Sequence, residues 1–348
     1  MPHLVSVHPQ IKDHVIIMYF VTENEVKTII QNWIRALNIK LGWVDDFDII
    51  VVKYIKYFKL LSVLRGHDST ISSVQFSADS RRIVSSSGDR TVRVWDVTSG
   101  RQIQIFKGHS SWVFAATFLS EGHIVISCSA DMTIRSWSVK SGRELMRLEG
   151  HLSSVWHVSP SPDGKYIISA SADKTIRLWD VDSGKEIQKM IGHSQGVLCA
   201  QFSPDGQLIV SSSNDNTIGI WSVKSGNILK QLIGHSYPVK FASFSLDNQL
   251  IVSGSADQML RIWNVESGKE VKVLEGHSSE VNAVKYFPDD QTIVSCSSDK
   301  TIRLWNATSG YVMQILKGSL DSVGCIDIAS NGKAIVSGSR DCLIRIWK

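Results

Sequence analysis

From residue 60 onward, apolar and polar residues alternate in short runs, as in Thr175-Ile176-Arg177-Leu178-Trp179, and brief polar turns separate the runs. Alternation with a period of two puts the apolar side chains on one face of an extended chain, so each run predicts a half-buried strand. The runs come in sets of four. The first follows a Gly-His pair, the second ends in Ser-x-Asp, the third ends in Trp, and the fourth follows a Ser-Gly turn where glycine supplies a positive φ cheaply. Residues 150–180, GHLSSVWHVSPSPDGKYIISASADKTIRLWD, carry most of one such unit. His67, His109, His151, His193, His235 and His277 lie 42 residues apart, as do Trp95, Trp137, Trp179, Trp221, Trp263, Trp305 and Trp347. Asp89, Asp131, Asp173, Asp215, Asp257, Asp299 and Asp341 keep the same phase, so seven copies of one supersecondary unit follow each other without interruption.

The Gly-His…Trp-Asp signature at this period resembles the WD40-repeat family. That resemblance covers residues 59–348 and implies an all-β fold, a seven-bladed propeller of four-stranded blades. The chain ends at Trp347-Lys348, one strand short of a complete seventh copy, and Leu60-Leu61-Ser62-Val63-Leu64 matches the last strand of the other copies. Residues 59–64 therefore supply the missing strand and close the ring, which removes an open sheet edge.

Residues 1–58 form an N-terminal extension with a different pattern. Thr22 and Glu25 have capping-box spacing, and Val26, Ile29, Ile30, Trp33, Ile34 and Leu37 fall on one helical face, so a helix is predicted over 23–38. With Gly42 and Trp43 following, the segment weakly resembles the LisH motif, which implies dimerisation through 22–58; the seven residues between Ile34 and Gly42 exceed that motif's spacing. A helix packed on the ring, or a loosely folded extension, is the alternative.

Recurrent histidine, serine and aspartate suggest a hydrolase at first sight. The sets are His67, Ser85, Asp89 and Trp95; His109, Ser127, Asp131 and Trp137; His151, Ser169, Asp173 and Trp179; His193, Ser211, Asp215 and Trp221; His235, Ser253, Asp257 and Trp263; and His277, Ser295, Asp299 and Trp305. A nucleophile belongs beside a cleft, whereas these serines recur mid-strand in every copy. Their chemistry predicts a structural chain from indole N–H through hydroxyl and imidazole to carboxylate, and the family resemblance implies the same tetrad; Ser171 competes with Ser169 for the role. Copy seven has Ser319 in place of histidine, which predicts an unpartnered Asp341 and a blade that opens first. Arg93, Arg135, Arg177, Arg261, Arg303 and Arg345 stand in register before the tryptophans, with Gly219 as the exception, and are expected to pack their stems and leave their heads in water.

Bulk properties narrow the function classes. A net charge of +4 on 348 residues, with no basic run, gives no sign of nucleic acid as the main ligand. No apolar run reaches the length of a membrane span. Cys128, Cys199, Cys296, Cys325 and Cys342 are odd in number with no C-x-x-C spacing, so they read as thiols in a reducing, intracellular compartment, cytoplasmic or nuclear, and no cofactor or metal is expected.

Shared positions build the ring, so recognition is expected where the copies differ. In the resembled family the residues beside the first apolar residue after Gly-His face the narrow end of the channel. Here those places hold Trp112, Phe114, Trp156 and Leu198 in copies two to four, and Lys240, Glu280 and, just before a tetrad aspartate, Arg340 in others. These seven are the candidate partner-binding residues of a non-catalytic scaffold for proteins or peptides. The alternatives are a reader of modified tails such as a histone peptide, in a chromatin or ubiquitin-ligase type of complex, and an enzyme with its site at the channel mouth.

Overall fold

The computed structural model describes residues 57–119 and 122–348, so the helix expected over 23–38 and dimerisation through 22–58 fall largely or wholly outside the described residues. Seven four-stranded antiparallel sheets account for the repeats. In blade 3 strands a to d are Val155–Pro160, Tyr166–Ser171, Thr175–Asp180 and Glu186–Ile191, in that spatial order. The other blades repeat it, and an all-β seven-bladed propeller results, as the strand pattern predicts.

Blade 7 takes three strands from the end of the chain, Val323–Ile328, Ile335–Ser339 and Ile344–Trp347, and its fourth from Leu60–Leu64. Leu60 lies opposite Trp347 and Leu64 opposite Ile344, and Lys59 and Lys348 exchange backbone hydrogen bonds of 2.6 and 2.9 Å. At the lower end of this strand Phe58 is buried against Phe287, and the Gln314 amide both donates to and accepts from its backbone.

The core is divided among the blade interfaces. Ile176 and Leu178 of blade 3 pack with Val197, Phe202 and Trp221 of blade 4, whereas Trp179 packs with Ile126 and Leu148 of blade 2. Alternation along strand c thus serves two interfaces, one on each side of the sheet. Strand a of every blade lines the central channel, and its pairing with strand b shifts register after its first residue, as between Val155 and His157. The extra residue is a β-bulge, and a bulge re-aims a side chain that regular pleating would turn elsewhere.

Candidate functional site

All six predicted tetrads are formed. The indole N–H donates to the serine hydroxyl at 2.7–2.9 Å, the hydroxyl lies 2.7–2.8 Å from histidine Nε2, and histidine Nδ1 lies 2.7–2.9 Å from the aspartate. Since the hydroxyl already accepts from the indole, its own proton goes to Nε2, leaving Nδ1–H for the carboxylate. Burial pushes the Asp89 carboxyl up, but hydrogen bonds from His67 and Thr91 outweigh it and hold the group well below the usual carboxylate range; Asp299 is held down to about 2 in the same way. Burial holds the imidazoles of His193 and His277 below their ordinary value against the pull of Asp215 and Asp299. Ser169 is the tetrad serine; Ser171 instead donates to the Ser154 carbonyl and accepts from the Asp173 amide. The six tetrad serines are almost completely buried, so no substrate reaches them.

Two expectations need correcting. Asp341 of blade 7 has a partner despite Ser319, because both terminal nitrogens of Arg345 reach its carboxylate, at 3.1 and 2.7 Å. Ser337 still accepts from the Trp347 indole at 2.9 Å, so only the imidazole is replaced. Nor do the strand-c arginines leave their heads in water. Arg135 and Arg177 pair with Glu144 and Glu186 of strand d at 2.7 and 2.5 Å, Arg261 pairs with Glu270, and Arg93 donates to Gln102 at 2.9 Å. The guanidinium of Arg93 lies beside Gly66 and the Trp95 ring, and those of Arg135, Arg177 and Arg303 lie beside Gly108, Gly150 and Gly276 in the same way.

The candidate partner-binding residues sit at the upper end of the channel, where the Gly-His loops are. Phe114, Trp156 and Leu198 are bulge residues of blades 2 to 4 and line a cavity of about 170 Å³ in the channel, half-buried. Trp112, just ahead of its bulge, is 50% exposed and its ring centre lies 6.5 Å from that of Phe114. Neighbouring glycines make room for both indoles: Trp112 leans over Gly88 of blade 1, and Trp156 lies across Gly196 of blade 4. Lys240 and Glu280 form an ion pair at 3.4 Å on the rim, and Arg340 is exposed on blade 7.

Below the aromatic residues the channel is polar. His157 donates through Nδ1 to the Ala200 carbonyl at 3.0 Å, so Nδ1 carries the proton, and its ring meets Phe241 edge-on at 5.7 Å across the channel. Burial and the nearby Lys285 push the His157 imidazole down to about 4, against the Ala200 carbonyl, so it is neutral at pH 7. Lys285 pairs with Asp327 at 2.7 Å, and the other oxygen of Asp327 accepts from the Phe76 amide at 2.7 Å. One carboxylate therefore joins blades 6, 7 and 1.

The sequence model described as WD domain, G-beta repeat, matches seven consecutive stretches, residues 58–96, 100–138, 142–180, 184–222, 226–264, 268–306 and 310–348. The chain belongs to the WD40-repeat family. Its similarity to a curated relative is more local: 59 residues, 17% of this WD40 chain, are 40% identical to the vegetative incompatibility protein HET-E-1 of Podospora anserina. The matched stretch spans only 4% of that relative's length.

What this WD40 propeller adds to its sequence is the channel interior. His157 and Phe241 occupy a position that is serine, alanine or cysteine in the other five blades, and Lys285 and Asp327 are the charged members of a position otherwise filled by Gln75, Thr117, Ser159, Gln201 and Ser243. The same comparison of copies that singled out Trp156 finds these residues too, once it is carried one and three positions further along strand a. Among the described residues no cluster of His, Cys, Asp and Glu is arranged to hold a metal, and no helix is long and apolar enough to cross a membrane.

Proposed function

We propose that the chain is a non-catalytic platform that holds an extended segment of a partner protein on its upper face, with Trp112, Phe114 and Trp156 at the contact centre. One observation carries this reading: the bulge that re-aims one residue per blade delivers large apolar side chains into the channel mouth in three adjacent blades, and small or polar ones elsewhere. Half-exposed tryptophan beside a cavity is typical of interface hot spots. Lys240, Glu280 and Arg340 then form the charged rim, and Leu198 extends the apolar floor.

The catalytic alternative receives less support. Tetrad serines are buried, burial raises the thiols of Cys128, Cys199, Cys296 and Cys325, and the channel imidazole is held in a poor proton-accepting state. Five free thiols among the described residues favour an intracellular, reducing compartment for the platform. The test is affinity capture with the full chain, comparing wild type with Trp112→Ala, Phe114→Ala and Trp156→Ala. Leu246→Ala, an exposed residue on the opposite face, serves as control. The reading predicts that partners are lost from the three aromatic variants and kept by the control, with all melting profiles alike. Equal recovery throughout would remove the site from this face.

A further inference from the structure

We infer that the segment inserted between these aromatic side chains is uncharged and apolar, followed toward blade 7 by a carboxylate, and that an arginine or methylated lysine is excluded; this rests on the platform reading above. Aromatic rings alone do not decide between the two ligand classes, because indole and phenyl faces attract cations as well as apolar groups. The neighbouring charges decide. At the inner positions of blades 2 to 4 stand Ala130, Ala172, Ser154 and Asn214, and none supplies a carboxylate. The tetrad carboxylates behind them are already matched, Asp131 to His109 and Arg135, and Asp173 to His151 and Arg177.

Deeper in the cavity the one charged lining residue is Lys285, whose carboxylate partner Asp327 is turned into the protein toward the Phe76 amide. A ligand cation lowered between the rings would lose water, approach an ammonium and find no free counter-charge. A cation–π contact contributes less than the desolvation of an unpaired buried charge costs. An apolar side chain meets the same ring faces without either cost.

The rim favours an acidic group toward blade 7. Glu280 has Lys240 at 3.4 Å, whereas the Arg340 guanidinium has no ion-pair partner among the described residues. Blade 1 between Arg340 and Trp112 carries only Thr70, Ser72 and Gly88 at its inner positions, so an extended segment can lie across it from the apolar sector to the arginine. Asp68 and Asp321 stand in the loops leading into blades 1 and 7.

A displayed library of random dodecapeptides, selected against the full chain, tests this. Peptides that depend on Trp156 are expected to combine a Trp, Phe, Leu or Ile with an Asp or Glu a few residues away. Replacing the apolar residue of a selected peptide by arginine or trimethyllysine should weaken binding at least tenfold, and Arg340→Glu should remove the preference for the acid while keeping that for the apolar residue. Trp156-dependent peptides that are basic, that tolerate arginine or trimethyllysine, or that lack an acid would overturn the inference and leave the platform standing. A selection yielding no Trp156-dependent peptide would overturn the platform reading, and the inference with it.

Discussion

A methyl group on residue 196 would come within 2.7 Å of the Trp156 ring and 3.2 Å of the Ala172 Cα. Gly196 is therefore the seat of that indole, and Gly196→Ala pushes the ring out of place without deleting any recognising group. Partner recovery is expected to fall several-fold in this variant, and a shift of tryptophan fluorescence on mixing with partner should shrink with it; unchanged recovery would mean that the indole's position is immaterial. A second residue-scale case is the Asp341–Arg345 pair. Both side chains are nearly buried, and removing one partner of such a pair costs about 3–5 kcal/mol. Arg345→Leu should lower the melting temperature sharply, and adding Ser319→His should restore part of the loss by returning an imidazole to Asp341. Ser319→His alone is expected to change stability little, since its carboxylate is already taken; a large gain would contradict the pairing. None of this was legible in Ser319 itself, because a guanidinium four residues from the aspartate in register substitutes for a group 22 residues away.

At the scale of the element, the strand and the tetrad were readable because they depend on local alternation and on residues that recur at fixed spacing. Ser169→Ala removes the acceptor of Trp179 and the donor to His151 in a buried place, at a cost of about 2–5 kcal/mol. The melting temperature of this variant should drop, with binding at low temperature intact. The bulge at the start of strand a was not readable, since the extra residue changes pairing without changing composition; Phe114 and Trp156 look from sequence like ordinary strand residues with a large side chain. Acid acts at this scale as well. His157, His193 and His277 have folded values below 6.5, so the unfolded chain takes up protons first and stability declines as pH falls below about 6.5. The tetrad aspartates, held below 3.8, keep their contribution above about pH 4 and lose it as pH falls toward 2. Thermal melts across pH 3 to 8 should show a shallow decline and then a steep one; a melting temperature that rises on acidification would refute the assignment.

For the whole molecule, closure was legible in the arithmetic of the repeats, because a seventh unit lacking a fourth strand and an orphan strand at residue 60 have to meet. Its lock was not. Asp327 ties Lys285 of blade 6 and the Phe76 amide of blade 1 to blade 7, on the inner edge of the sheet whose outer strand is borrowed from the far end of the chain. Asp327→Ala leaves a partly buried ammonium and an unpaired amide, and should open the ring at blade 7 first, seen as faster hydrogen exchange in Val323–Ile328 and Leu60–Leu64 than in blade 3. Uniform exchange around the ring would contradict this. The larger division is between positions that repeat and build the ring, and positions that differ and recognise. It is tested most directly by partner recovery measured well below both melting temperatures for Trp156→Ala and Ser169→Ala. The account predicts that Trp156→Ala loses the partner at an unchanged melting temperature, while Ser169→Ala keeps it at a lowered one. Full recovery by Trp156→Ala would contradict the account.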